Sequence, residues 1–133
     1  MSLALKYNQQ GNFNCAESLL LACSELYGFE VSPEELHQVS AFGGGMGCGS
    51  TCGVITGAAA VLGRLAVRDK AHTTAGFRPL CGSLVAALQE RFDGDRDCAK
   101  IMPRYRSKEI GCAPTIAAGL EVLDRFLRAH DLV

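Results

Sequence analysis

Apolar residues recur at helical spacing along almost the whole chain, and no stretch of useful length alternates between apolar and polar residues. This pattern predicts an all-α protein: a compact bundle of about five to six helices, with residues 1–133 forming a single domain. A chain of 133 residues that is 48% hydrophobic and 20% charged can bury one core of this kind. Neither an internal repeat nor a linker divides it.

Capping residues predict where the helices begin. Two capping boxes, each a polar residue followed three residues later by Glu, start at Asn14 and Ser32. The third helix has a second face of small residues, which lets another backbone approach, so we expect it at the centre of the bundle. The helices are predicted over residues 15–27, from 33, over 52–68, over 80–92, from 98 and over 114–129, with 102–111 as a loop.

Charge and hydropathy exclude several classes of function. The formal net charge of −1, without clusters of basic residues interleaved with aromatics, gives no electrostatic attraction to nucleic acid. The first residues lack the pattern of a secretory signal. The longest nearly uncharged stretch, roughly residues 41–63, is broken by glycines, so no membrane insertion is expected. We therefore expect a cytoplasmic protein.

Seven cysteines are unusual in a reducing compartment, where they indicate metal or redox chemistry more often than a disulfide framework. Three of them directly follow a good N-cap residue, and a fourth comes just before the last helix. Free N–H groups and the positive end of the helix dipole stabilise a thiolate at such places, which lowers the pKa of the thiol. These four cysteines are Cys15, Cys52, Cys98 and Cys112.

Bundle topology predicts that the same cysteines converge. The first, third and fifth helices of an up-and-down bundle start at one end, which brings Cys15, Cys52 and Cys98 together. Cys112 joins them if the fifth helix and its loop return the chain to that end. Cys23 and Cys81 lie in apolar helical stretches and are expected to pack.

Three functions are consistent with this arrangement. Four thiolates could hold an iron–sulfur cluster or another metal ion, although the haem motif is absent and no haem is expected. A thiol–disulfide oxidoreductase or thiol sensor would use Cys52 as nucleophile, with Cys15 or Cys48 resolving the mixed disulfide. In a structural or partner-binding bundle the cysteines would only pack. The glycine-rich segment 43–53 lacks a phosphate-loop pattern and is interpreted as a hinge.

Several segments, in order along nearly the whole chain, resemble the C_GCAxxG_C_C family, which is described as redox-active: NCAES, FGGGMG, TCGVITGAAAVLG, ERFDGDRDC and a last cysteine before a helix. The family's four cysteines then fall on the same four positions, and the candidate catalytic residues remain Cys52 and Cys15 of the thiol–disulfide hypothesis. The resemblance further implies that Gly53 and Gly57 contribute to cofactor binding, with Gly53 standing where the family name has alanine. The implied metal ligands are Cys15, Cys52, Cys98 and Cys112.

The same resemblance bears on partners. The family resembles a domain of split-Soret cytochrome c, and its association with transporter genes implies a redox partner linked to a transporter. The apolar face of the third helix would also suit homodimerisation.

Overall fold

Helix α4 (Gly53–Ala66) lies at the centre of the bundle, where it contacts the three other long helices, α2 (Cys15–Tyr27), α5 (Phe77–Arg91) and α7 (Ala113–Ala129). The computed structural model describes all residues from 1 to 133. Three shorter helices complete a set of seven, and there is no β-strand, so the predicted all-α class is confirmed. The shorter helices are α1 (Ser2–Ala4), α3 (Pro33–Gln38) and α6 (Cys98–Tyr105).

The start of α2 shows how the sequence sets the helix boundaries. The side chain of Asn14 accepts a hydrogen bond from the Glu17 N–H, and the Glu17 carboxylate accepts one from the Asn14 N–H, both at 3.0 Å. Gly28 ends the helix in the left-handed conformation, at φ 73°. Ser32 begins α3 with a second capping box. Both predicted boxes are therefore confirmed.

The core lies between the four long helices and α6. Its largest members are fully buried, and each such aliphatic or aromatic side chain contributes about 1.5–3 kcal/mol through burial. They are Leu19, Ile55, Leu62, Leu84, Leu88, Phe92, Ile101, Ile116, Leu123 and Leu127. No helix is at once long enough and apolar enough to cross a bilayer.

Glycines on two helices allow the closest packing in the bundle. A Cβ atom on Gly57 of α4 would lie 3.0 Å from the Ala16 Cα and 3.2 Å from its carbonyl oxygen. A Cβ atom on Gly119 of α7 would overlap the Val54 side chain. The small face predicted for α4 is thus packed against the backbone of α2.

The structure differs from the prediction at one unpredicted helix and at two predicted elements. The short helix α1 was not predicted; it continues as a π-helical segment (Leu5–Gln10), and its Ala4 is buried. Helix α5 begins three residues earlier than predicted, at Phe77. Helix α6 continues through Pro103, where a loop was predicted, because its last residue is held by the core. Tyr105 packs edge-on against Phe92, with ring centroids 5.3 Å apart.

We expect Gly57→Ala to lower the free energy of unfolding by about 1–3 kcal/mol, because the added methyl group forces α2 and α4 apart. Gly63→Ala is the matched control on the same helix, since a Cβ there meets nothing within 4 Å. It should raise stability by about 0.5–1 kcal/mol through helix propensity. Urea unfolding measures both, and equal stability of the two variants would contradict the packing described here.

Candidate thiol site

The four cysteines selected from the sequence lie at four helix starts that meet at one end of the bundle. Cys15 and Cys98 are the first residues of α2 and α6, while Cys52 and Cys112 are the N-cap residues of α4 and α7. Their sulfur atoms are close enough for the charge on one to shift the pKa of the others. The structure therefore brings together all four predicted site residues, including Cys112.

A short backbone pairing fixes two of these helix starts beside each other. The Cys52 N–H donates to the Arg96 carbonyl at 2.7 Å, and the Cys98 N–H donates to the Ser50 carbonyl at 2.6 Å. Between them, Thr51 forms an isolated antiparallel bridge with the residue that precedes Cys98. Thr51, a good N-cap residue type, directly precedes Cys52 in the sequence, and it was expected to cap α4. That expectation was wrong, because Thr51 belongs to the bridge and Cys52 is itself the N-cap.

The glycine-rich loop packs directly beneath this pairing. Gly45 is buried with φ 62°, and a Cβ atom there would lie 2.5 Å from the Ser50 backbone and 2.8 Å from the Cys98 Cβ. A left-handed conformation without room for a side chain requires glycine. The loop thus supports the Cys98 side chain from one side.

Cys15 and Cys112 form an interacting thiol pair. A hydrogen-bonding interaction with the Cys15 thiol is the largest cause of a lowered pKa at Cys112. Partial burial opposes the lowering, and the positive charge of Arg106 adds to it. The same interaction raises the pKa of Cys15, as do burial and the charges of the other three cysteines. The pair therefore loses its first proton at a lower pH than an ordinary thiol does, and its second proton at a higher pH.

Burial is the largest cause of the pKa shift at Cys52. Its side chain is 3% exposed, and burial raises its pKa to about 11, although the backbone N–H groups of Val54 and Ile55 act to lower it. From its place at a helix start, the sequence had predicted a lowered pKa for Cys52. A helix dipole contributes about 0.3–1 kcal/mol, less than the roughly 1.4 kcal/mol that one pKa unit represents. Burial therefore outweighs the helix start at this position.

Cys98 has a raised pKa for related reasons. Burial is the largest cause, the charge on Cys112 adds to it, and the Arg106 guanidinium acts in the opposite direction. Only Cys112 among the four shows the lowered thiol pKa that the helix-start pattern predicts.

The remaining three cysteines lie outside this group. Cys23 is fully buried in α2, where burial raises its pKa to about 12. Cys81 is half-buried in α5 and packs against the core. Cys48 is exposed in the glycine-rich loop and donates from its sulfur to the Gly45 carbonyl at 3.4 Å.

Gly53 and Gly57 lie where α2 and α4 cross. A Cβ atom on Gly53 would be 3.2 Å from the Cys15 Cβ and 3.2 Å from the Phe42 carbonyl oxygen. The absence of a side chain thus lets the start of α4 approach Cys15. Their contribution to cofactor binding stays a prediction.

Arg106 is a residue of the site that the sequence reasoning missed. It follows α6, and its charge acts on both Cys98 and Cys112. The available signal was a run of basic residues shortly before Cys112, in a segment interpreted only as a loop.

The donor atoms suit a thiophilic metal or an iron–sulfur cluster, since cysteine thiolates are their preferred ligands. The positions of these sulfur atoms suit a metal ion less well. No group of three or more His, Cys, Asp or Glu side chains is placed so that it could hold a metal ion.

Comparison with known proteins identifies one family. The family model described as "Putative redox-active protein (C_GCAxxG_C_C)" matches residues 13–126, a range that contains all four cysteines of the site. None of the curated proteins and none of the solved structures compared with this chain matches it.

Among the four site cysteines, we expect iodoacetamide at neutral pH to modify Cys112 first and Cys52 more slowly, because a lowered pKa raises the thiolate fraction and burial suppresses it. Peptide mass mapping over time gives the order. Arg106→Gln should shift the pH profile of Cys112 alkylation to higher pH, since it removes a charge that stabilises the thiolate. Arg78→Gln, at an exposed position on α5, should leave the profile unchanged. Faster alkylation of Cys52 than of Cys112 would contradict this assignment.

Proposed function

This chain belongs to the C_GCAxxG_C_C family, and from that membership we propose that Cys15 and Cys112 form a dithiol that is oxidised reversibly to a disulfide. The observation that carries the proposal is the interaction of the Cys15 and Cys112 thiols at the starts of α2 and α7, which is the largest cause of the pKa shift of each. It lowers the pKa of Cys112 and raises that of Cys15, so that one sulfur is a thiolate while the other keeps its proton. Thiol–disulfide exchange requires this combination of an attacking thiolate and a waiting partner.

The exchange proceeds in two steps. The Cys112 thiolate attacks one sulfur of a substrate disulfide, forms a mixed disulfide and releases the other substrate sulfur as a thiolate. Cys15 then attacks the Cys112 sulfur, and its proton passes to the departing substrate sulfur. The protein pair has lost two electrons and the Cys15 proton, and the substrate disulfide has become one thiolate and one thiol. A second dithiol reverses the sequence and returns the protein to its reduced form.

Cys112 takes the role of nucleophile in this proposal, where the sequence had favoured Cys52. The raised pKa and near-complete burial of Cys52 disfavour attack on an external disulfide. Cys15 keeps its predicted participation. Cys52 and Cys98 act on the pair through their charges, which favour a single thiolate in the cluster.

We expect mild oxidation with diamide to produce a Cys15–Cys112 disulfide, because the interaction between these two thiols is the largest cause of the pKa shift of each. Non-reducing peptide mapping detects the linkage. In Cys15→Ser the second step is blocked, so a mixed disulfide with an added small thiol should accumulate on Cys112. Cys81→Ser, which removes a half-buried thiol outside the group, should behave as the unmodified protein.

Two results would contradict the dithiol proposal. One is a dominant linkage between Cys52 and Cys98. The other is the absence of any linkage together with full tolerance of serine at all four cysteines, which would favour a structural or partner-binding bundle.

A cluster or metal ion on Cys15, Cys52, Cys98 and Cys112 is the second candidate. Convergence of four thiols at one end of the bundle supports it, and thiolates are the expected ligands. It ranks below the dithiol because no three of the side chains are placed to hold one ion. The predicted cytoplasmic location, homodimer and transporter-linked partner stay predictions.

Anaerobic reconstitution with iron and sulfide separates the two candidates. For the dithiol we expect a colourless protein without bound iron after desalting, and unchanged alkylation of Cys112. Stoichiometric iron with visible absorption that is lost in Cys98→Ser, but retained in Cys81→Ser, would instead establish the cluster.

A further inference from the structure

A polar pocket of about 490 Å³ lies next to Cys112, on the segment that joins α6 to α7. No apolar residue lines it. Gly111, which directly precedes Cys112, forms part of its wall, and so does Arg106, whose charge acts on the Cys112 thiol. The lining residues are Gln9, Arg106, Ser107, Lys108, Glu109 and Gly111.

The wall of this pocket is an ordered loop. Ser107 and Gly111 form an isolated antiparallel bridge, in which the Ser107 N–H donates to the Gly111 carbonyl at 2.9 Å. The Ser107 hydroxyl oxygen accepts hydrogen bonds from the Glu109 and Ile110 N–H groups at 3.1 and 3.2 Å. Gly111 adopts φ 56°, and a Cβ atom there would lie 2.7 Å from the Gln9 side-chain nitrogen. These contacts hold the loop against the N-terminal segment.

Two cations on the lining have no carboxylate partner. Neither Arg106 nor Lys108 takes part in any ion pair of the chain. The guanidinium of Arg106 donates only to the Met102 sulfur, at 3.7 Å. The one acidic residue, Glu109, is held by the Ser107 hydroxyl at 3.0 Å. The lining therefore carries one net positive charge, in a chain whose formal net charge is −1.

Some backbone N–H groups of the loop have no hydrogen-bond acceptor within the chain. The N–H groups of Lys108 and Cys112 donate no hydrogen bond within the chain, whereas the Gly111 N–H faces Ser107 in the bridge. Together with the two cations, the N–H groups of Lys108 and Cys112 form a set of donors without a matching acceptor, which suits an oxyanion.

We propose that this pocket binds a carboxylate of a small anionic disulfide and so presents its sulfur–sulfur bond to Cys112. The inference rests on the proposed thiol–disulfide function and adds its substrate class. Arg106 and Lys108 attract the carboxylate, and the polar lining of the pocket, without any apolar residue, suits a small charged molecule better than an apolar peptide side chain. Attack by Cys112 then transfers one half of the disulfide to the protein and releases the other as a thiolate.

A variant of Lys108 distinguishes binding of the disulfide from activation of the Cys112 thiol. Arg106 acts on the Cys112 thiolate itself, whereas Lys108 is not among the causes that shift the Cys112 pKa. Lys108→Gln is therefore the diagnostic variant. Lys70→Gln removes the same charge from an exposed lysine outside the pocket and is the matched control.

The experiment measures the rate of Cys112 mixed-disulfide formation with three probes: glutathione disulfide, which is anionic, hydroxyethyl disulfide, which is neutral, and cystamine, which is cationic. We expect Lys108→Gln to slow the reaction with glutathione disulfide about twofold to fivefold, the effect of one partly exposed charge contact. Hydroxyethyl disulfide should react unchanged, and cystamine no more slowly. Lys70→Gln should leave all three rates unchanged, and added salt should reduce the difference.

The outcomes distinguish this inference from the function on which it rests. If all three disulfides oxidise Cys112 at rates that Lys108→Gln does not alter selectively, the carboxylate pocket is overturned and the dithiol function stands. If no disulfide reacts with Cys112, the dithiol function itself fails.

Discussion

The contact between α2 and α4 is the constraint on which the rest of the structure depends. Gly57 lets the backbone of α4 lie against Ala16, and Gly53 does the same for the Cys15 side chain one turn earlier. Because these contacts involve backbone atoms, they fix the relative height of the two helices as well as their separation. The starts of both helices therefore lie side by side, and Cys15 and Cys52 with them.

The chemistry of the site results from a competition between burial and charge. Each helix start offers N–H groups that favour a thiolate, yet desolvation and the neighbouring thiols oppose more than one negative charge in the cluster. Cys112 alone has a lowered pKa, because the Cys15 thiol and the Arg106 charge both stabilise its thiolate. Proximity of four cysteines thus favours one thiolate rather than four.

Much of the fold could be predicted because its signals are local. Capping boxes at Asn14 and Ser32 and the apolar periodicity set the helix starts to within a residue or two, except at α5. The extension of α6 through Pro103 could not be predicted, because it depends on the packing of Tyr105 against a residue distant in sequence.

Convergence of Cys15, Cys52 and Cys98 was predictable from helix parity, but neither the position of Cys112 nor the order of the four pKa values was. That order depends on how deeply each sulfur is buried and on which sulfur meets which, and neither is encoded in the spacing of cysteines. The same limit applies to Arg106, whose effect on Cys112 arises only once the chain turns back after α6.

The antiparallel bridge between Thr51 and Asp97 joins the starts of α4 and α6 through main-chain atoms alone. Side chains at these two positions contribute no hydrogen bond to the junction, so their identity is free to vary without loosening it. Gly45, which supports the junction from below, has no such freedom. A mutational scan of this end of the molecule should therefore find that Gly45 of the loop tolerates substitution least, and less than the bridge residues Thr51 and Asp97.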